Sequence, residues 1–355
     1  MAYRYPQYTG LTRRTEEDKG DITAPVGTTV TLTITANKSI GSGKLTFSND
    51  STTKLKVDDV TIAGSVKITE DLSYTVNMVD TDDLRNENPV EYYIRALPDN
   101  TPRVTINNPG RDTKLSPIDE MAVRVEAEDD FGLSSLNLVY SVNGGKDQTI
   151  DMATEENQKS RTLWDGEHYL YLEEMAVEPG DFIAYYAEAS DHRGENGSTR
   201  TVMFFTTVRP FEEIYRQGQG GGGGGGVAGL RPGKMSQEQK EIIAATWRVD
   251  SSRKHVPEQQ TKDDLNAVAD AQDALRVRVE EAINVLLFQG AMDLELQEMS
   301  DLLQQAPAPM VSASEALRAE RSAEALGPQR EGLHYLLKVD ALIREYMVTQ
   351  QRNNQ

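Results

Sequence analysis

The sequence predicts a multidomain protein of the β plus α class, and a change of periodicity is the main reason. Before residue 220, short runs of apolar residues alternate with polar ones, which is the period of half-buried strands. After residue 226, apolar residues recur at steps of three and four, which is the period of amphipathic helices. Seven consecutive glycines, Gly220 to Gly226, separate the two patterns. We therefore expect β modules first and a helical region last.

The predicted strands occur in two successive series. The clearest strand has Val30, Leu32 and Ile34 alternating with threonines. The other runs of the first series are 44–47, 66–68, 74–79 and 90–96. The second series, about a hundred residues later, is 121–127, 136–142, 168–172, 182–189 and 202–208. Both series fit a β module of about a hundred residues.

A short internal repeat supports duplication of the module. Residues 92–99 read Tyr-Tyr-Ile-Arg-Ala-Leu-Pro-Asp, and residues 185–191 read Tyr-Tyr-Ala-Glu-Ala-Ser-Asp. Such a segment suits a late central strand of an immunoglobulin-like (Ig-like) sandwich. The sequence thus predicts two tandem Ig-like β-sandwiches, at 1–101 and 102–211, with almost no linker between them.

The remaining chain predicts a Gly-rich flexible linker at 212–235 and an α-helical region at 236–355, folded as a helical hairpin or small bundle. Three pairs have the form of a capping box at a helix start: Ser236 with Gln239, Thr261 with Asp264, and Ser312 with Glu315. Gln272 interrupts one apolar stripe, and Gly327-Pro328 predicts a turn. Because glycine has little preferred conformation, we expect the helices to sample many orientations relative to the sandwiches.

Composition excludes several classes of function. Lys and Arg number 37 against 57 Asp and Glu, giving a net charge of −20, so nucleic acid is not an expected partner. With no cysteine, disulfides and thiolate chemistry are excluded. The longest apolar runs, such as 283–288, are too short to span a bilayer, and the N-terminus lacks a signal-peptide pattern. We expect this chain to be a fragment whose upstream part is missing.

No motif predicts an enzyme. The triplet Asp130-Phe131-Gly132 lacks the other protein-kinase motifs, and the segment 229–234 matches a phosphate loop only loosely. The four histidines, His168, His192, His255 and His334, do not have metal-ligand spacing. A hydrolase that uses an unrecognised pair of carboxylates stays open as the least favoured alternative.

One set of acidic residues could bind calcium. Asp129 and Asp130 follow one predicted strand, while Asp191, Glu195 and Asn196 lie in the loop after another. Two loops of a sandwich can share one end, and hard oxygen ligands of this kind suit calcium. The alternative is that these side chains form turns and cap backbone amides. No other cofactor is predicted.

Several segments, taken in order, resemble a family of uncharacterised bacterial envelope proteins. They are the segments 5–11 (Tyr-Pro-Gln-Tyr-Thr-Gly-Leu), 20–22, 27–30, 89–92, 129–133, 209–212 and 239–247. The resemblance implies N-terminal membrane helices outside this chain, Ig-like modules in the periplasm as part of an inner-membrane protein, and a Gln-rich helical tail. It carries over no activity and no catalytic residue.

These observations lead to two main hypotheses of function. The first is a non-enzymatic envelope component, with Ig-like modules as a stalk or docking surface and helices that assemble with a protein partner or with a second copy. The second is a calcium- or glycan-binding β-sandwich. The helical stripes leave a further alternative open, since they could simply be buried against one another.

Overall fold

A computed structural model describes residues 1–154, 157, 160–193, 197–210, 233–254, 256–289 and 293–353. Most of the predicted linker, including Gly220 to Gly226, lies outside these residues. The chain divides into two compact units. The first unit comprises Met1–Pro102, Glu128–Ser134 and Ser190–Gly197, and the second comprises Arg103–Ala127, Ser135–Ala189 and Ser198–Gln355.

Nine strands form the β structure of the first unit. They are β1 Ala2–Arg4, β2 Arg14–Thr15, β3 Ile22–Pro25, β4 Thr29–Thr35, β5 Ile40–Phe47, β6 Thr52–Asp58, β7 Thr61–Lys67, β8 Leu72–Asp80 and β9 Glu91–Leu97. Their order is β2-β1-β4-β7-β6-β5-β8-β9-β3. Because β6 pairs with both β5 and β7, the two faces of the sandwich are continuous. The strand β3 runs parallel to β9, with Ile22 opposite Ile94.

Alternation along these strands builds the core of the first unit. Val30 on β4 lies opposite Val66 on β7, and both side chains are buried. Tyr74 is buried among the same side chains, and its hydroxyl donates a hydrogen bond to the Gly20 carbonyl at 2.6 Å. A Cβ at Gly20 would lie 1.9 Å from the ring of Tyr92, so this position requires glycine.

The second series of strands starts after a short connection. Its members are β10 Arg103–Asn108, β11 Thr113–Leu115, β12 Glu120–Glu128, β13 Leu133–Val142, β14 Gln148–Asp151, β15 Leu163–Tyr171, β16 Phe182–Asp191, β17 Ser198–Arg200 and β18 Phe204–Val208. One sheet has the order β10-β12-β15, and the other has the order β11-β18-β16-β13-β14, with β17 paired to β16. Both predicted series of strands are therefore confirmed.

Five helices follow within the described residues. They are α1 Lys234–Ser252, α2 Glu258–Gln289, α3 Leu294–Leu303, α4 Pro307–Arg318 and α5 Ser322–Asn353. Their apolar stripes share one core, which includes Leu265, Leu286, Met310 and Leu336. The multidomain β plus α class is thus confirmed. None of the helices in the described residues has both the length and the apolarity to cross a bilayer.

The predicted capping boxes are wrong, because their polar residues lie inside helices. Helix α1 begins at Lys234, and Ser236 in its first turn donates to Asp340 Oδ2 at 2.5 Å. Thr261 lies within α2 and Ser312 within α4. The predicted turn at Gly327-Pro328 is also wrong, since both residues lie within α5. At these predicted helix starts and at the predicted turn, tertiary packing outweighs the local sequence preference.

Gln272 does not interrupt α2. Its side chain is fully buried, and its amide exchanges two hydrogen bonds with the amide of Gln239, at 2.8 and 3.1 Å. The Gln239 amide also donates to the Gln329 carbonyl oxygen, and the Gln329 amide donates to Thr246 Oγ1. A polar network therefore replaces apolar packing where α1, α2 and α5 meet.

The helices are packed directly against the second sandwich. Within the second unit, side chains of β13, β16, β18 and the residue before β18 share a buried cluster with side chains of α1 and α5. We call this cluster the seam; it contains Val139, Phe182, Ala184, Tyr186, Met203, Phe205, Ile243, Trp247, Leu326, Leu333 and Leu337. The expectation that the helices sample many orientations relative to this sandwich is therefore wrong.

Polar contacts surround the seam. The indole of Trp247 donates to the Thr201 carbonyl oxygen at 2.8 Å. Arg330 on α5 donates to Asp147 Oδ1 at 2.7 Å, and Lys338 lies 2.9 Å from Asp181 Oδ1. These charged contacts fix the direction of α5 on the sheet, in addition to the apolar burial.

Candidate functional site

Three carboxylates converge within the first unit, each from the end of a strand. Asp99 follows β9, Asp129 follows β12, and Asp191 is the last residue of β16. One carboxylate oxygen of each lies within 4.8 Å of the others. Asp129 and Asp191 come together because loops at one end of a sandwich lie close to one another, while Asp99 follows a strand of the first series. We call these three residues the acidic cluster.

Asp129 is held by the turn that follows it. Its Oδ2 accepts hydrogen bonds from the backbone N–H groups of Phe131 and Gly132, at 2.9 and 2.6 Å. The residue is only 5% exposed, and its Oδ1 accepts no hydrogen bond from any described residue. Burial raises the pKa of Asp129, while the two backbone donors oppose that shift. Oδ2 of Asp129 thus stabilises the turn, and Oδ1 does not.

Asp99 carries the most perturbed carboxyl of the cluster. Its side chain is 7% exposed, and the Tyr8 hydroxyl and the Asp130 carboxyl lie within hydrogen-bonding reach of it. Its Oδ2 lies 3.2 Å from Arg193 Nε as an ion pair. Burial raises the pKa of Asp99 to about 6; the Asp130 carboxyl adds to this shift and the Arg193 guanidinium opposes it.

The positive charge of Arg193 already balances the negative charge of Asp191. Asp191 Oδ2 accepts a hydrogen bond from Arg193 Nε at 2.8 Å and forms an ion pair with Arg193 Nη2 at 2.7 Å. Its Oδ1 accepts one from the Arg193 backbone N–H at 2.6 Å. The same guanidinium donates to the carbonyl oxygens of Asp99 and Asn100, each at 2.7 Å. Arg193 therefore ties the loop after β16 to the loop after β9.

Two further residues border the acidic cluster. Asp130 is exposed, and its Oδ2 accepts hydrogen bonds from the backbone and side-chain nitrogens of Asn100, at 3.3 and 3.1 Å. Gly197 lies against Asp191, since a Cβ at Gly197 would come within 1.7 Å of Asp191 Oδ1. The sequence places glycine where any side chain would displace that carboxylate.

The structure brings three of the five residues of the predicted calcium loop to this place, namely Asp129, Asp130 and Asp191. Glu195 and Asn196 lie outside the described residues. Sequence reasoning missed Asp99. The internal repeat carried a signal for it, since the two copies of the repeat end on Asp99 and Asp191. Taken as ionised, three carboxylates against one guanidinium leave the acidic cluster with a formal charge of −2.

The acidic cluster offers hard oxygen ligands and a fixed arginine. Hydrogen-bonded carboxylates at strand ends also serve simply to close turns, as Asp129 Oδ2 does here. Its second oxygen and both oxygens of Asp99 have no such use. Chemically, the arrangement can bind a cation or share a proton between carboxylates.

A second feature of interest is an exposed apolar patch on helix α2. Val277, Val285, Leu287 and Phe288 are exposed on this helix, and Phe288 is 89% exposed. At 100° per residue, Val277 and Phe288 point within about 20° of each other. The buried side of α2, with Leu275, Val279 and Leu286, faces the opposite way. We call these four exposed residues the α2 patch.

No protein-family model and no curated protein matches the chain. Among solved structures, the chain is similar to the fibronectin(III)-like modules of Clostridium thermocellum CbhA, with 12% identity, 59% of this chain and 98% of that chain covered, and a TM-score of 0.21. It is also similar to DIP-gamma IG1+IG2, with 13% identity, 53% and 93% covered, and a TM-score of 0.24. Matches at these TM-scores carry no information on what the chain binds.

Proposed function

We propose that this chain is a non-enzymatic, extracytoplasmic structural and interaction portion of a bacterial membrane-anchored envelope protein. The β modules act as a stalk or docking surface, and the helical region mediates assembly. The resemblance to envelope proteins supports the periplasmic setting, and the net charge of −20 argues against nucleic acid as a partner. The observation that carries the interaction role is the α2 patch.

The α2 patch lies on the side of the helix that the bundle core does not use, where the exposed polar residues Glu281 and Asn284 separate Val277 from Phe288. Burying such side chains stabilises an interface by about 25 cal/mol per Å² of apolar surface. Phe288 would contribute most, because aromatic side chains dominate interface energetics. A helix that buries one apolar side in its own bundle and also exposes several large apolar side chains is suited to association with a second surface.

The occupant that we propose for the α2 patch is the same patch of a second copy. A twofold axis brings the same patch of two copies into contact, so an apolar patch meets an apolar patch. The rest of the acidic surface of a second copy would not match it. The seam supports this role because it holds the helical region against the second sandwich. Two copies joined through α2 would then present their second sandwiches in a fixed relation.

Sedimentation-equilibrium measurements on the 355-residue chain test this assembly. We expect a dimer at about 100 µM for the wild type, a monomer for Phe288→Glu, and a dimer for Ile118→Glu. Ile118 is the matched control because it is also exposed, at 63%, but lies outside the helices. A monomeric wild type, or a dimer unaffected by Phe288→Glu, would contradict assembly through this patch.

The envelope setting needs a separate test in cells. We expect a photo-crosslinker at position 288 of the membrane-anchored full-length protein to give a crosslinked product of twice the protein's mass. The product should be lost when external protease is added to spheroplasts, because the proposal places the chain outside the cytoplasm. A chain that resists the protease until the membrane is lysed would refute the periplasmic location.

A further inference from the structure

The acidic cluster has the features of a cation site rather than of ordinary turn chemistry. Asp129 is 5% exposed and the Asp99 side chain 7%, so both carboxylates are largely removed from water. Asp129 Oδ1 accepts no hydrogen bond from a described residue, while the Asp99 carboxyl is bordered by the Tyr8 hydroxyl, the Asp130 carboxyl and Arg193. An uncompensated buried carboxylate costs several kcal/mol, so such groups in proteins are normally paired or bound to a metal.

Arg193 compensates only part of this charge. Its guanidinium makes a hydrogen bond and a second close ion-pair contact to Asp191, but it reaches Asp99 only as an ion pair at 3.2 Å. No described cation contacts the free oxygen of Asp129 within hydrogen-bond or ion-pair distance. The remaining formal charge of −2 equals the charge that one divalent cation would neutralise.

The spacing of the carboxylates suits a single ion. Calcium binds oxygen at 2.3–2.6 Å, so two ligands on opposite sides of the ion lie about 5 Å apart. One oxygen from each of the three aspartates falls within 4.8 Å of the others. Calcium also tolerates irregular coordination, whereas magnesium requires near-ideal octahedral geometry and usually keeps several waters. The cluster can therefore hold calcium with little movement.

We propose that Asp99, Asp129 and Asp191 bind one calcium ion, with Arg193 positioning Asp191 and the loop that carries Asp99. The site is independent of the α2 patch, which lies in the other unit. Calcium takes six to eight oxygens, so backbone carbonyls or waters complete the set. Because Asp99 follows β9 while Asp129 and Asp191 follow β12 and β16, the ion would join three loops that are far apart in sequence.

Calcium titration of the metal-free 355-residue chain tests the proposal. After treatment with a chelator, we expect calcium binding by isothermal titration calorimetry with a Kd of about 10⁻⁴ to 10⁻³ M, the range of extracellular modules. We expect the Tm to rise by about 3 °C at ten times the Kd, because the ion binds the folded chain only. Magnesium at the same ionic strength should give a smaller rise.

Substitutions assign the binding to these residues. Asp99→Asn and Asp129→Asn keep the shape of the side chain and should each weaken calcium binding at least tenfold. Asp83→Asn is the matched control, since Asp83 is exposed and its positive φ of 61° is one that asparagine adopts readily. Far-UV circular dichroism confirms that each variant is folded before calcium is added.

Each outcome decides the proposal. Absence of heat and of a Tm shift in the wild type at 10 mM calcium would overturn it. Equal binding by the wild type and both cluster variants would place the ion elsewhere and would overturn it too. If both variants are unfolded, terbium luminescence of the wild type that is competed by calcium replaces them; luminescence that calcium does not compete would count against the site.

Discussion

The rings of Tyr186 and Trp247 lie 4.4 Å apart between centroids, with their planes inclined by 52°. Tyr186 belongs to a strand of the second sandwich and Trp247 to the first helix after the glycines. The Arg200 guanidinium lies 5.4 Å from the centroid of the Trp247 ring. This contact joins the β part and the helical part of the chain in the seam.

Replacing Trp247 should destabilise the whole second unit. Trp247→Ala removes its packing in the seam and its hydrogen bond to Thr201, at a cost of about 3–5 kcal/mol in the free energy of unfolding. Trp247→Phe retains most of the packing and should cost about 1–2 kcal/mol. Denaturant unfolding monitored by circular dichroism measures both. Wild-type stability in the Ala variant would show that the seam contributes little.

The glutamine network should show strong energetic coupling. Gln272→Leu leaves the Gln239 amide with an unsatisfied buried group and should cost about 1–3 kcal/mol. Gln239→Leu with Gln272→Leu should cost less than the sum of the two single changes, because each single change removes the same hydrogen bonds. A double-mutant cycle of unfolding free energies measures the coupling. Additive costs would mean that the two amides do not act as a pair.

His334 should make the stability of the second unit depend on pH. Burial lowers the pKa of His334, and Lys338 lowers it further, while Asp181 and Glu331 oppose the shift. The ordinary pKa is about 6.5, so below that pH the unfolded chain binds the extra proton first. The unfolding free energy should therefore fall as pH drops from about 7 through the lowered pKa.

The comparison of wild type with His334→Gln isolates this effect. The variant should lose part of the decline in unfolding free energy between pH 7 and 5, because glutamine does not titrate. His168→Gln, on β15, serves as the control. If both variants follow the pH profile of the wild type, the burial of His334 has no energetic consequence for folding.

The seam should hold the two parts of the second unit together without a covalent link. We expect a chain with a specific protease site inserted within Gly220 to Gly226 to give two fragments that co-elute in gel filtration after cleavage. Trp247→Ala should make the fragments separate at low micromolar concentration. Separation of the wild-type fragments would show that the peptide link, rather than the seam, keeps the helices in place.

The strands were predictable because alternation is a local signal. On β4, the spacing of Val30, Leu32 and Ile34 predicts both the strand and its buried side, and the structure agrees. The capping pattern did not predict the helix starts, because Ser236 and Gln239 form hydrogen bonds with residues on α5 and α2. Those partners lie 33 or more residues away in sequence.

The seam had a sequence signal that capping patterns and alternation do not capture. Residues 182–187 of β16 form a continuous apolar run, which indicates a strand buried on both faces. In the internal repeat, the equivalent strand β9 keeps Tyr93 62% exposed, whereas Tyr186 is 7% exposed. The difference between the two copies points to a covering element over the second one only.

The acidic cluster was predictable in part for a similar reason. Asp129 and Asp191 could be proposed because both follow apolar strands. Asp99 could not be placed beside them from periodicity, since convergence of three loops depends on how strands are ordered in space. Its matching position at the end of the repeat was the only local hint.

The double-sided burial of β16 also determines when the second unit can finish folding during synthesis. Leu337 covers the seam but is added 155 residues after Phe182, which at about 5–20 residues per second takes roughly 8–30 s. During that interval Ile243 and Trp247 of α1 arrive first, but the part of the apolar face that α5 covers has no partner from its own chain. The β module must therefore wait for the last helix, and chaperones have a defined surface to protect in the meantime.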